Sequence, residues 1–243
     1  DILIQIQNGK TKPVYIFDGE EPFYIDALVE AFENTFLQPH EKDFNFRVFF
    51  GKDALWNDIV NECRSFPVFA SKRLVILKEA SQLKDFDQLE NYLKNPAEST
   101  LLVIAYKYKK VDGRGSLGKY IKSATAKSHI EYVTFDKIKD AKLQDWILQY
   151  TIKHNIKLSA TNAALLATYL GNDLQKIANE LEKVSINIKE GEEITEELIE
   201  KYIGISKEYN VFQFPKAIIE RNTVLTYKIV AYYIANPKEA PMV

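Results

Sequence analysis

The sequence predicts an α/β domain on a five-stranded, mostly parallel sheet with flanking helices, followed by an all-α region. Three observations carry this expectation. Some strand-like segments are continuous apolar runs. Helical stripes alternate with them. Near Asp136 the alternation stops and only helical periodicity continues.

The strand-like runs are Val14-Tyr15-Ile16-Phe17, Phe44 to Phe50, Leu74-Val75-Ile76-Leu77, Leu101-Leu102-Val103-Ile104 and Ile130 to Phe135. An unbroken apolar run suits a strand covered on both faces, as in a parallel sheet. Between the runs, Ile25, Leu28, Val29, Phe32 and Phe36 fall on one helical stripe. Leu55, Ile59, Val60 and Cys63 form a second, and Leu83, Leu89 and Leu93 mark a third. Such alternation predicts right-handed crossovers and a sheet flanked by helices.

Beyond Asp136 the pattern predicts helices only. One stripe is Leu143, Trp146, Ile147, Tyr150 and His154, with His154 as a cap or surface residue. The next is Leu165, Leu166, Tyr169 and Leu170, ended by Gly171. Leu174, Ile177, Ala178, Leu181 and Val184 follow. Thr195 reads as an N-cap for Leu198, Ile199, Tyr202 and Ile203, with Glu196 and Glu197 where the dipole favours acids. A small bundle of four is expected. Gly204 to Glu208 reads as a linker before further helices at Val211 to Ile219 and Thr223 to Ile234. Pro215 requires the former to begin near Phe214 or to kink.

With 243 residues, 46% of them hydrophobic, the chain can build two or three domains with sizeable cores. A formal net charge of -2 argues against a protein living mainly on nucleic-acid phosphates. Cys63 is the only cysteine, so neither an internal disulfide nor a Cys-based zinc site can form. On its apolar stripe it reads as core. His40, His129 and His154 lack metal-ligand spacing, so no metal site is expected. No apolar run reaches the ~20 residues of a membrane span, and no signal peptide is visible. The count of one cysteine suits a reducing, cytoplasmic setting. A chain opening on Asp1 is expected to be part of a longer protein.

An α/β sheet invites a search for a nucleotide site after the first strand. A phosphate loop needs glycines, free N–H groups and a lysine. Here stands Asp18-Gly19-Glu20-Glu21-Pro22-Phe23, whose three carboxylates repel polyphosphate. Gly113 to Lys119 matches G-x-x-x-x-G-K, but Tyr120 replaces the Mg²⁺-binding hydroxyl residue and the match follows the fourth strand. It reads as a glycine-rich solvent loop leading into a short basic helix. Lys107, Lys109, Lys110, Arg114 and Lys119, interleaved with Tyr106 and Tyr108, offer either a DNA contact or a solvated loop. No nucleotide, cofactor or catalytic constellation is expected.

One segment breaks the pattern. Arg64-Ser65-Phe66-Pro67-Val68-Phe69-Ala70-Ser71-Lys72-Arg73 joins a helix to a strand, where polar residues belong. It carries Phe66, Val68 and Phe69 instead, with Pro67 holding the backbone extended. Either the loop folds its aromatics back over the sheet edge, or it presents them as a docking wedge.

Four segments then carry a resemblance across nearly the whole chain. They are Lys12 to Asp26, Phe66 to Leu74, Leu170-Gly171-Asn172-Asp173-Leu174 running on to Lys183, and Glu208-Tyr209-Asn210-Val211-Phe212. In order and spacing they resemble the delta subunit of the bacterial DNA polymerase III clamp loader. The resemblance implies an AAA+-like fold without ATP binding. It divides the chain into an α/β domain over 1–136, a helical lid over 137–206 and the start of a truncated helical collar over 207–243. It implies a non-catalytic subunit that binds the beta sliding clamp and opens its ring for loading on primed DNA. Implied partners are the gamma/tau ATPase subunits, delta-prime and, within the complex, primer–template DNA; no membrane is implied. The family's apolar pair falls on Val68 and Phe69, with support from Phe66 and Pro67. The family often has Leu at the first position, so Phe69 is expected to carry the larger share. Two other readings are an active P-loop NTPase using Gly113 to Lys119, and a stand-alone DNA-binding module.

Overall fold

A computed structural model describes residues 2–123, 125–204 and 213–235. The chain forms two compact units, Asp1–Lys137 and Ile138–Val243.

The first unit is built on strands β1 (Val14–Gly19), β2 (Phe46–Phe50), β3 (Arg73–Lys78), β4 (Thr100–Lys107) and β5 (Ile130–Phe135). They lie in the order β2-β3-β4-β1-β5. Every strand pairing is parallel, so the sheet is wholly rather than mostly parallel. Its helices are α1 (Ile2–Gln7), α2 (Pro22–Thr35), α3 (Lys42–Asn45), α4 (Trp56–Arg64), α5 (Glu90–Lys94) and α6 (Ser116–Ile121).

Strand periodicity sorts the core into two faces. Val14, Ile16, Val75, Leu77, Leu102 and Ile104 pack with Ile59 and Cys63 of α4, Leu93 of α5, and Leu117 and Ile121 of α6. Tyr15, Phe17, Leu74, Ile76, Leu101 and Val103 pack with Ile25, Val29 and Phe32 of α2. Both faces are covered, which is why the central strands are apolar without alternation. Cys63 is buried in the first cluster, and burial pushes its thiol up to about 12. That is the state of a core residue and not of a nucleophile.

Two expectations of this unit need correction. Phe44 and Asn45 belong to the helical turn α3, not to β2, which begins at Phe46. The reason is the Asn45 side chain, which binds the Glu41 carbonyl one turn back. Second, Leu83, Leu89 and Leu93 are buried but share no helix. Glu79 and Asp85 take positive φ, which breaks the segment into 3₁₀ turns before the short α5.

The second unit contains the expected four helices, α7 (Leu143–Lys153), α8 (Ala160–Leu170), α9 (Leu174–Ile186) and α10 (Glu196–Ile203). It is not helical only. Strands β6 (Lys157–Leu158) and β7 (Glu193–Ile194) pair in parallel, and buried Asn162 donates to the Ile194 carbonyl. Pairs this short leave no periodicity to read. His154 caps α7, and Gly171, at φ +66°, caps α8. Ser159 and Asp173 accept first-turn amides at α8 and α9. Thr195 is the N-cap of α10, but its hydroxyl goes to Glu197 and not to a backbone amide.

Two more helices, α11 (Gln213–Ile219) and α12 (Thr223–Ala235), pack on one another. Starting α11 at Gln213 places Pro215 in the first turn, where a missing N–H costs no helical bond. The linker beyond Gly204 and the segment Glu208 to Phe212 lie outside the described residues.

Ile16 sits fully buried on the central strand β1. Ile16→Ala is expected to destabilise the chain by about 2–5 kcal/mol in urea unfolding. A change below about 1 kcal/mol would mean that this face is not close-packed.

Candidate docking tip

The strand order changes direction at β1 and β4, the place where open α/β sheets bind ligands beyond the strands' carboxyl ends. In this chain that crevice is closed by its own groups. Asp18 is fully buried at the end of β1. Its carboxylate accepts the Val111 N–H at 2.8 Å, the Tyr132 hydroxyl at 2.6 Å and the Thr134 hydroxyl at 2.6 Å. The Gly19 N–H goes to the Lys109 carbonyl and the Glu21 N–H to the Phe135 carbonyl. Gly19 has φ +127°, and a Cβ there would lie 2.0 Å from the Phe135 oxygen. The first-turn amide of α2 is capped by the Glu21 carboxylate, with Pro22 next. Backbone donors that would hold a phosphate are thus already paired, and the local charge is negative.

The G-x-x-x-x-G-K match is no better placed. The Asp112 carboxylate accepts the Arg114 N–H and pairs with its guanidinium, which holds the acid down to about 2. Gly118 lies within α6, where a Cβ would come 2.0 Å from the Asp112 carbonyl oxygen. The glycines serve the packing of loop against helix and do not form a cradle.

The candidate DNA contacts divide. Lys110 pairs with Asp136 at 2.6 Å and Arg114 with Asp112 at 3.0 Å, while Lys107 pairs with Asp26. Lys109 and Lys119 are exposed, with no ion pair among the described residues. Tyr106 packs on Phe86 with the rings tilted at 55°, while Tyr108 is exposed. Among the described residues no three His, Cys, Asp or Glu side chains gather as metal ligands. No described helix is long and apolar enough to cross a membrane.

At the opposite, amino-terminal end of the sheet, the loop between α4 and β3 carries its apolar residues outward. Phe66 is 86% exposed, Phe69 97% and Val68 39%. The alternative in which they fold back over the sheet edge is therefore overturned. The side chains are free, but the backbone is held. Asn45, 1% exposed, accepts the Val68 N–H at 2.7 Å through Oδ1 and donates to the Val68 carbonyl at 2.8 Å through Nδ2. Arg73, itself buried, donates to the Phe66 carbonyl at 3.2 Å and pairs with Glu62 of α4. Phe69 sits at φ +52°, a left-handed conformation that costs a bulky residue about 1–2 kcal/mol. Strain of this size persists only where the surroundings fix it.

Sequence reasoning found the tip's side chains and missed its supports, Asn45, Glu62 and Arg73. One signal was available. Asn45 stands between Phe44 and Phe46, and a polar side chain that becomes buried must find partners.

A family model described as DNA polymerase III, delta subunit, matches residues 15–131, a span that includes Asp18 and the tip. Over that span this chain is similar to that subunit. The DNA polymerase III subunit delta of Bacillus subtilis (strain 168) is 24% identical over 252 residues, spanning 100% of this chain and 71% of that one. Among solved structures, the Bacillus subtilis DNA clamp loader delta protein superposes with a TM-score of 0.67 at 23% identity, covering 97% of this chain and 71% of that one. The sheet and its helices thus share the fold of that delta protein.

Burial and the hydrogen bond donated to Asp18 push the Tyr132 phenol up to about 12. The neutral phenol is favoured in the folded state, so its contribution is complete below the ordinary value of 10.0 and is lost as pH rises through about 12. Asp18→Ala is expected to lower the Tyr132 pKa, followed by ring-carbon NMR, and to destabilise the fold by about 2–4 kcal/mol through the unpaired Val111 amide. An unmoved Tyr132 titration would refute the closed-crevice geometry.

Proposed function

We propose that this chain is the clamp-gripping subunit of a clamp loader. It inserts Phe69 and Val68 into an apolar pocket of the beta sliding clamp, supported by Phe66 and Pro67, and opens the ring for loading on primed DNA. The observation that carries this reading is the tip itself, with two phenylalanines almost wholly exposed on a backbone pinned by buried side chains. Leaving each such side chain in water forgoes about 1.5–3 kcal/mol of burial. A partner pocket recovers that energy.

In this reading the chain is non-catalytic and works in the cytoplasm beside gamma/tau ATPase subunits and delta-prime. ATP acts on it only through those neighbours, which the self-paired backbone around Asp18 supports. Residues 1–136 form the clamp-gripping domain, 137–206 a helical lid and 207–243 the start of a collar. Lys109 and Lys119 are the better candidates for primer–template contact. Lys110 and Arg114 are engaged by acids.

Phe69→Ala is expected to cost about 2–4 kcal/mol of clamp affinity in a calorimetric titration, the penalty of a buried aromatic anchor. Val68→Ala should cost less. Unchanged affinity of a folded Phe69→Ala chain would remove the central claim. Labelled ATP at micromolar concentration is expected not to bind saturably to the chain alone. Saturable binding abolished by Lys119→Ala would reverse the non-catalytic reading.

A further inference from the structure

The clamp reading rests on what the tip exposes; a second question is what holds it in shape before a partner arrives. Besides the root of the tip, the fold carries an apolar groove between α11 and α12 and a polar cluster at His129. Nothing in the structure shows what covers the groove. His129 is satisfied by Tyr120, Ser128 and the Leu93 carbonyl, a closed structural set. The root of the tip is different, because its buried polar groups hold an exposed apolar loop.

We infer that Asn45 is the positioning residue of the docking tip, fixing Val68 and Phe69 in a binding-ready conformation in the free chain. This rests on the clamp reading and deepens it. The amide uses both ends on one residue of the loop, accepting from the Val68 N–H and donating to the Val68 carbonyl. Its other donated bond, to the Glu41 carbonyl at 2.9 Å, ties that splint to the turn preceding β2. The splint therefore crosses 23 residues of sequence to join the base of the sheet's edge strand to the tip. Its site is buried, so water competes poorly for these bonds. Phe69 follows directly at φ +52°, a conformation an unheld loop would seldom populate. A wedge held this way does not spend binding energy on ordering itself.

The test is a double-mutant cycle on the full chain with the beta sliding clamp, reading affinity by titration and folding by thermal unfolding. Asn45→Ala is expected to weaken clamp binding about tenfold, the worth of one or two lost hydrogen bonds. In a Phe69→Ala background the same change should weaken it less than about twofold, because Asn45 acts through Phe69. Hydrogen exchange at the Val68 amide should accelerate in Asn45→Ala. Unchanged affinity, or a full tenfold loss in both backgrounds, overturns the inference. If the alanine chain does not fold, Asn45→Asp replaces it. That variant keeps the acceptor for the Val68 N–H and loses both donated bonds, and parent-like affinity from it is equally fatal. Phe69→Ala with parent affinity sinks the clamp reading itself, whereas loss there with none for Asn45→Ala sinks only the positioning role.

Discussion

A sheet buried on both faces has to satisfy its polar groups within the fold, and the rest of this structure follows from that constraint. Between the faces the strands satisfy one another through parallel ladders. Beyond their ends they cannot. At the carboxyl end of β1 the buried Asp18 carboxylate gathers one amide and two hydroxyls from β5 and the β4–α6 loop. At the amino end of the sheet the buried Asn45 amide gathers both backbone groups of Val68. Each is a single polar side chain closing one end of the same layer. Neither could be left unpaired without a cost of about 1–3 kcal/mol.

The two closures have opposite consequences. At the Asp18 end, closure consumes the donors and the space that a phosphate would need, and Gly19 is pressed against the Phe135 carbonyl so that nothing larger fits. At the Asn45 end, closure holds backbone only and leaves side chains outside. Phe66, Val68 and Phe69 are therefore presented by a loop that is fixed at its root and bare at its apex. The clamp reading draws on this second end, and the proposal that the chain holds no nucleotide of its own draws on the first.

Much of this was legible in the sequence, because burial on both faces writes itself as unbroken apolar runs, and Val14 to Phe17 or Leu101 to Ile104 admit few other readings. The tip was legible as an anomaly, two phenylalanines where a connection should be polar, but its direction was not. Whether Phe66 and Phe69 turn inward depends on bonds to Asn45 and Arg73, and the Asn45–Val68 pair is separated by 23 residues. Periodicity does not see such partners. It also failed over Leu83 to Leu93, where the leucine spacing resembled a helix while Glu79 and Asp85 took left-handed turns, a conformation that glutamate does not announce and aspartate signals only weakly. The β6–β7 pair escaped for a related reason, since two residues make no pattern and the pairing is fixed by a side chain on α8.

An apolar loop bare to water ordinarily carries a second hazard, because unpaired backbone beside exposed aromatics invites another chain to add as a strand. The pinned tip limits that route. The Val68 N–H and C=O are both committed to Asn45, and the Phe66 C=O is committed to Arg73. Pro67, between them, has no N–H to offer. The backbone leading into Phe69 therefore offers a partner little to pair with, and in the clamp reading recognition there proceeds through the side chains. A surface of that kind selects for a pocket shaped to receive phenylalanine and discriminates against an edge of sheet. The same buried amide that steadies Phe69 thus also narrows what Phe69 can bind.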